Sequence, residues 1–433
     1  MTISWRKSLV HAAGIISLLC YAWLANESQE LVEMPLSVFY PLIVIPWVFV
    51  LLLWRFDDAS TRYRSIILWA VLFRLVGCWA NPIYEDDHFR FLWDGYQFSQ
   101  TGDPYTATPL DSFGDQDVPN EMRDILDQVN HPNLPTIYGP PMELTFLFNH
   151  WLWSASLVGL KVLFLLFEGL MLFALSRMIS RRMFLLAAWC PLLVIETSFQ
   201  AHPDIIGICF LTLGILAARS QRPLLAMFGQ GLAMASKIFA LLTWPFLLKK
   251  KTWFIQGIVA ATTVAILYLP FILQGSNSGL ISTKEMATDW EFNSAVYGLL
   301  KVWLSPQKAR LASLGLFTII YCGILGWYWR KKATGWQGEA PLDMIYGFFF
   351  LVSPVINSWY LLWLFPFVML KPRCWSITAL IVVSLSYVTG LNLHSEQYDN
   401  FENPLAIKII EFGAIAIALA IDLIRLKKKN AST

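Results

Sequence analysis

The sequence predicts an all-α polytopic membrane protein, and three observations predict it. Apolar runs of roughly 17–25 residues, the length needed to cross a bilayer as helix, recur along the whole chain of 433 residues. Only 14% of residues are charged and the mean hydropathy is +0.53, whereas soluble domains average about 25% charged. The Lys and Arg fall in short clusters between the apolar runs. No stretch is polar and long enough for a soluble domain, so residues 1–433 read as one transmembrane domain. A net charge of +2, with the basic residues confined to inter-span clusters, gives no basis for nucleic-acid binding. The six Cys all lie in or beside apolar runs, without disulfide or zinc spacing.

The positive-inside rule orients the elements. Arg6 and Lys7 place the N-terminus in the cytoplasm, and the first span, 8–24, reads as an uncleaved anchor. Residues 26–33 are external; span 36–54 returns to Arg55, Arg62 and Arg64, with Asp57-Asp58 beside them. Span 65–81 carries Arg74 and leads to an external loop, 82–141. An amphipathic lead-in at 142–154 precedes span 157–176, which carries Lys161 and Glu168 and ends at Arg177, Arg181 and Arg182. A buried ion pair is the expected use of Arg74 and Glu168.

Span 183–198 goes out and span 203–218 returns to Arg219 and Arg222. Residues 224–248 have basic residues at both ends, which predicts two short helices folded back at Ala235-Ser236-Lys237. Span 252–273, external loop 274–306 and span 309–329 follow. Residues 342–370, interrupted by Ser353-Pro354-Val355-Ile356-Asn357-Ser358, read as another out-and-back pair. Spans 375–391 and 404–424 flank an acidic external loop and complete a count of about 12–14. No internal repeat is evident, which argues against a secondary transporter.

The chain is organised around the 82–141 loop. It opens on Glu85-Asp86-Asp87-His88-Phe89-Arg90 and holds more than a third of the chain's 30 acidic residues, against two Arg, Arg90 and Arg123. Phe89, Leu92, Trp93 and Tyr96 recur at helical spacing, with Arg90 and Asp94 paired at i,i+4 and a stop at Gly102. A second helix begins near Pro119, with Met122, Ile125, Leu126 and Val129 on one side. Both read as amphipathic helices on the membrane surface.

The topology collects unusual polar groups on the external face: Glu85, Asp86, Asp87, His88, Arg90, Asp94, His131, Tyr138, His202, Asp204, Lys237, Asn293, Trp359 and Tyr360. Singly, each has a structural explanation. Lys237 can snorkel, Asp204 can cap a helix, and Trp359-Tyr360 can belong to an aromatic belt. Together they suit glycosyl or phosphoryl transfer from a lipid phosphate. A carboxylate can deprotonate an acceptor hydroxyl, and Lys237, Arg90 or a His can hold the departing phosphate. Clustered carboxylates also attract hard divalent ions. Consecutive residues on a helix cannot all face one ion, so the expected site has no cofactor and no metal, a divalent ion being the minor alternative.

Asp86-Asp87-His88-Phe89-Arg90-Phe91 resembles the acidic motif that opens the first external loop of GT-C membrane glycosyltransferases. The chain is most similar to polyprenyl-phosphate-mannose-dependent mannosyltransferases of the glycosyltransferase family 87 type and to GPI mannosyltransferase I. Further residues carry the resemblance: Trp93-Asp94-Gly95, Gly102-Asp103-Pro104-Tyr105, Asn130-His131-Pro132, Thr136-Ile137-Tyr138, His202-Pro203-Asp204, Ala233 to Lys237, Glu291-Phe292-Asn293-Ser294 and Trp359-Tyr360. Two departures stand out: Asn357-Ser358 where relatives have His-Pro, and Gly139 inserted in a Tyr-Pro-Pro motif.

The resemblance implies a GT-C-type bundle and an inverting transfer of a sugar, mannose first, from a polyprenyl-phosphate donor to a lipid or glycan acceptor. It implies a bacterial inner-membrane enzyme with a periplasmic site. Asp86 is the expected general base and Asp87 the second candidate. Arg90, Lys237 and His202 are expected at the donor phosphate, and Trp93, Tyr138, Trp359 and Tyr360 around the sugar. Asp94, His131, Asp204 and Asn293 complete the expected binding set. The competing reading is a flippase that uses the same polar residues without covalent chemistry.

Overall fold

A computed structural model describes residues 2–29, 33–56, 61–276, 279, 284–285, 288–394 and 401–431. Asp57-Asp58 and residues 395–400, part of the topology argument, lie outside that set. The chain is helical nearly throughout, as expected of an all-α membrane protein. Among the described residues the strand pairing is a two-residue parallel contact, Met34–Pro35 with Leu393–His394, and an isolated parallel bridge, Phe292 with Val355.

The early elements follow the apolar pattern. Helices α1 (Thr2–Glu27), α2 (Leu36–Phe56) and α3 (Tyr63–Trp79) pack on one another. In the loop, α4 (Asp87–Thr101) ends on Gly102, whose φ of 72° is the left-handed stop a glycine permits. The second loop helix, α5 (Asn120–Leu126), starts after Pro119 and buries Met122, Ile125 and Leu126. The expectation that α4 lies on the membrane surface needs correction. Arg90, Phe91, Leu92, Trp93, Asp94, Gly95, Gln97 and Phe98 are all buried, because α4 packs along α6 (Pro140–Trp153) and under α5.

Helix α7 (Leu157–Ser176) holds the two charges noted in the sequence. Arg74 Nε donates to Glu168 Oε1 at 2.9 Å and its Nη1 to the Ala188 carbonyl at 2.7 Å, so the pair is buried and hydrogen-bonded. Lys161 Nζ donates to the carbonyls of Ala80 and Gly77 at 2.6 and 3.1 Å. It thereby adds a donor at the C-terminal end of α3, where helix carbonyls run out of backbone partners.

The next run is broken. Helices α8 (Arg181–Ala188) and α9 (Pro191–Val194) meet at Cys190-Pro191, and α9 continues as a wide turn through Phe199; the two parts are bent by 44°. A proline lacks the N–H that would continue the first helix. Helix α10 (Asp204–Arg219) then lies between α7 and α11 (Pro223–Ser236). The predicted break at Lys237 is present. Lys237 is extended, and the chain turns back through α12 (Trp244–Leu247), with Gln230 Nε2 donating to the Ala240 carbonyl at 2.5 Å.

Two long helices follow: α13 (Trp253–Leu273) and, after the short α14 (Val296–Lys301), α15 (Pro306–Ala333). Only 22% and 11% of their most apolar windows are buried, so their side chains face outward as a lipid-facing surface does. The 342–370 stretch is an out-and-back pair, α16 (Leu342–Val352) and α17 (Phe365–Leu370), joined through a tight turn over Ser358–Trp363. Helix α18 (Cys374–Val382) packs on α19 (Leu405–Ala431).

Among the described residues, five helices are long and apolar enough to cross a membrane unbroken, and the bent α8–α9 pair makes a sixth. That is fewer uninterrupted spans than the expected 12–14. The apolar runs are present, but polar or proline breaks at Pro191, Lys237 and Asn357 split several into short helices. The 11 residues of α16 rise only about 16 Å, half of a typical hydrocarbon core of about 30 Å.

Candidate active site

The breaks at Lys237 and Asn357 meet around a cavity of about 470 Å³. Its wall comes from separate segments: Glu85 to Arg90, Asn130 to Tyr138, Lys237, Trp290 to Phe292, and Val355 to Tyr360. Two of these segments are stitched together. Phe292 N donates to the Pro354 carbonyl at 3.0 Å, and Ile356 N to the Phe292 carbonyl at 2.9 Å.

Asp86 is the residue before α4, and Asp87 is the first residue within it. Carboxylates there are favoured by the free N–H groups and the positive end of the helix dipole. Asn130 Nδ2 donates to Asp86 Oδ1 at 2.7 Å and to Asp87 Oδ1 at 2.8 Å, so one amide holds both acids. Burial pushes the Asp86 carboxyl above its ordinary value, with the Asn130 bond opposing that rise. Glu85 is raised well above the usual carboxylate range by burial first, then by the nearby charges of Asp87 and Glu196. Among the described residues His88 Nδ1 has no hydrogen-bond partner, and burial lowers its imidazole to about 3, which leaves it neutral.

Arg90 Nε donates to Asp94 Oδ1 at 2.7 Å, and Nη2 donates to the Leu134 carbonyl at 3.0 Å. Arg90 therefore fastens the 130s segment to α4, while Asp94, fully buried, holds Arg90. Lys237 Nζ reaches the cavity from the helix break. It donates to Asp204 Oδ1 at 2.8 Å and sits 4.3 Å from the Tyr360 ring centroid. Asp204 also accepts from Trp363 Nε1 at 2.6 Å. Asp204 is the first residue of α10, but Pro203 is the cap position and no side chain caps the helix; the Asp204 carboxylate holds Lys237 instead.

Beneath the cavity, the His202 ring stacks on Trp359 at 4.0 Å between centroids and 13° between planes. His202 Nδ1 lies 2.7 Å from Glu196 Oε2, and the Tyr387 hydroxyl donates to Glu196 Oε1.

Eight residues expected from the sequence line the cavity: Asp86, Asp87, Arg90, His131, Tyr138, Lys237, Trp359 and Tyr360. Five stand behind it. Trp93 is in the core with Nε1 on Gln97, Asp94 holds Arg90, Asp204 holds Lys237, His202 underlies Trp359, and Asn293 Nδ2 donates to Glu411. The sequence reading passed over Glu196, Tyr387, Trp290 and Glu411 as site components. Glu196 and Glu411 carried a readable signal, a carboxylate inside an apolar run; Tyr387 and Trp290 carried none.

The far end of the same bundle is different. Arg219, at the other end of α10 from Asp204, lines a cavity with Lys249, Lys250, Lys332 and Lys371. The acidic cavity and the basic clusters thus lie at opposite ends of one helix.

No curated protein and no solved structure matches this chain. The family model described as alpha-(1->6)-mannopyranosyltransferase, N-terminal domain (MptA_B family), matches residues 3–251. That is more than half of the chain and includes every acidic, histidine and lysine residue of the cavity wall named above except Glu291; the chain belongs to this family of mannosyltransferases.

Proposed function

We propose that the protein is an inverting GT-C mannosyltransferase that moves mannose from a polyprenyl-phosphate donor to a lipid or glycan acceptor. It works at the external face of a bacterial inner membrane. One observation carries the reading: three consecutive carboxylates and a carboxylate-held lysine share a cavity at the end of an apolar helix bundle.

Asp86 is the base. It takes the proton of the acceptor hydroxyl as that oxygen attacks the anomeric carbon, and the bond from that carbon to the phosphate oxygen breaks. The sugar inverts because attack and departure occur on opposite sides. Lys237 meets the negative charge that grows on the departing lipid phosphate. Asp204 and the Tyr360 ring fix the lysine before the donor arrives, so no reorganisation is needed during transfer. Tyr138, Trp290, Trp359 and Tyr360 offer aromatic faces and hydroxyls to the sugar. The basic residues at the opposite end support the external placement, since they mark the cytoplasmic side.

A flippase would require a polar path continuing toward that basic end. Under this cavity the stacked His202–Trp359 pair and the Phe239–Trp363 contact occupy the route, which favours transfer. The test uses purified protein in lipid with radiolabelled polyprenyl-phosphate mannose and, separately, nucleotide-linked mannose. The expected result is label transfer to a membrane-extract acceptor from the lipid donor alone. Transfer from the nucleotide donor alone, or lipid-donor translocation without transfer, would overturn the proposal.

A further inference from the structure

Glu85 and Asp87 flank Asp86 but serve a different arrangement. Asn130 holds Asp86 and Oδ1 of Asp87, while ligand atoms of Glu85, Asp87 and His202, without Asp86, all lie within 4.8 Å of one another. The sequence objection to a metal was that consecutive residues cannot face one ion. Here the ligands are two residues apart, one ahead of α4 and one at its first position, and the third comes from another segment.

His202 supplies the second observation. The residue is 1% exposed. Its Nδ1 faces Glu196, which the Tyr387 hydroxyl braces from the other oxygen. A carboxylate accepts, so Nδ1 carries the hydrogen, and Nε2 is the ring nitrogen left to bind an ion. Among the described residues no hydrogen bond reaches that nitrogen. Stacking on Trp359 fixes the ring plane. A carboxylate that orients one nitrogen of a histidine, leaving the other for an ion, is the usual support of a metal-ligating histidine.

We propose that Glu85, Asp87 and His202 form a divalent-cation site in the cavity wall, with Nε2 of His202 as its nitrogen ligand. Two oxygens and one imidazole suit a borderline ion of the Mn²⁺ or Zn²⁺ type rather than Ca²⁺. Ligands about 2.1 Å from such an ion stand roughly 3–4 Å apart, so small rotations of the carboxylates close the site. Positions left open on the ion would accept phosphate oxygens of the donor, on the same cavity as Lys237. That role rests on the transfer reading above; the binding of the ion does not.

The experiment reads binding without substrate. Full-length protein in lipid discs is stripped with chelator and titrated with Mn²⁺, with free ion followed by electron paramagnetic resonance and bound Mn²⁺ examined by pulsed measurement for coupling to a histidine nitrogen. The expected result is one Mn²⁺ per chain with a nitrogen coupling. His202→Gln abolishes the coupling, and Glu85→Gln weakens binding by about tenfold or more. Glu85→Asp keeps partial binding, which separates ligand loss from misfolding, and Asp86→Asn leaves binding unchanged.

Absence of Mn²⁺ and Zn²⁺ binding below millimolar concentration would overturn the site. Binding indifferent to both Glu85→Gln and His202→Gln would show an adventitious ion only. Sugar transfer by metal-free protein would sink the cation's role and leave the transferase intact. Binding without transfer from any lipid-linked sugar would keep the site and remove the function.

Discussion

A side chain at Gly139 would run into Ala235: a Cβ built there falls 1.8 Å from the Ala235 carbonyl oxygen, and 2.9 Å from that of Ser236. The extra glycine in the Tyr138-Gly139-Pro140-Pro141 segment is therefore what lets the cavity loop lie on the helix break that presents Lys237. The obstruction is backbone, which cannot rotate aside. Gly139→Ala is expected to lower the unfolding temperature and reduce mannosyl transfer by at least about tenfold, since an ångström-scale shift at a site costs up to about 10² in rate. Gly169→Ala, with nothing within 4 Å of its Cβ, should change neither. Thermal unfolding and initial rates of both variants check this.

Lys237 is expected to act on the donor and Asp204 to position Lys237. Lys237→Met should lower kcat/KM by about 10²–10³, the cost of removing a preorganised group from developing charge. It should also destabilise the fold, because Asp204, fully buried, keeps only Trp363. Lys237→Met combined with Asp204→Leu should recover stability without recovering rate. Recovery of the rate in the double variant would contradict the assignment.

Asn130 holds both acids through one amide nitrogen. Asn130→Leu removes that bond while keeping the volume. It should cut kcat by about 10–100-fold with a smaller change in KM, because the base loses its orientation rather than the donor its site. A KM rise with unchanged kcat would assign Asn130 to substrate binding instead.

The Arg74–Glu168 pair stands away from the cavity and tests the fold alone. Glu168→Leu leaves Arg74 buried without its partner and should cost about 3–5 kcal/mol of stability. Arg74→Met with Glu168→Leu should regain most of that, and the folded fraction of each variant should transfer sugar at the wild-type rate per molecule. Denaturation in detergent, scored beside activity, measures both.

Much of this arrangement was legible in the sequence, for identifiable reasons. Basic residues at both ends of 224–248 forced a turn at Lys237, and the turn is there. The i,i+4 spacing of Arg90 and Asp94 gave their pair, and Gly102 gave the end of α4. Charge spacing could not show that α4 is buried, because its amphipathic pattern is the same whether one face meets lipid or α6. Nor could it show that Asp94 and Asp204 serve Arg90 and Lys237 from behind the wall. The Glu196–His202 pair spans only six residues, yet it depends on the wide turn at 195–199 and on a positive φ of 60° at Ala201. Neither feature has a signature in residue type.

The central claim is that Asp86 is the base for transfer, and one measurement tests it most directly. Wild type and Asp86→Asn, reconstituted in lipid, are given radiolabelled polyprenyl-phosphate mannose and a membrane-extract acceptor, with donor binding measured in parallel. The account predicts transfer lowered by about 10²–10⁴ in Asp86→Asn, the range for loss of a positioned proton acceptor, with donor affinity retained. Equal transfer by both proteins would contradict it.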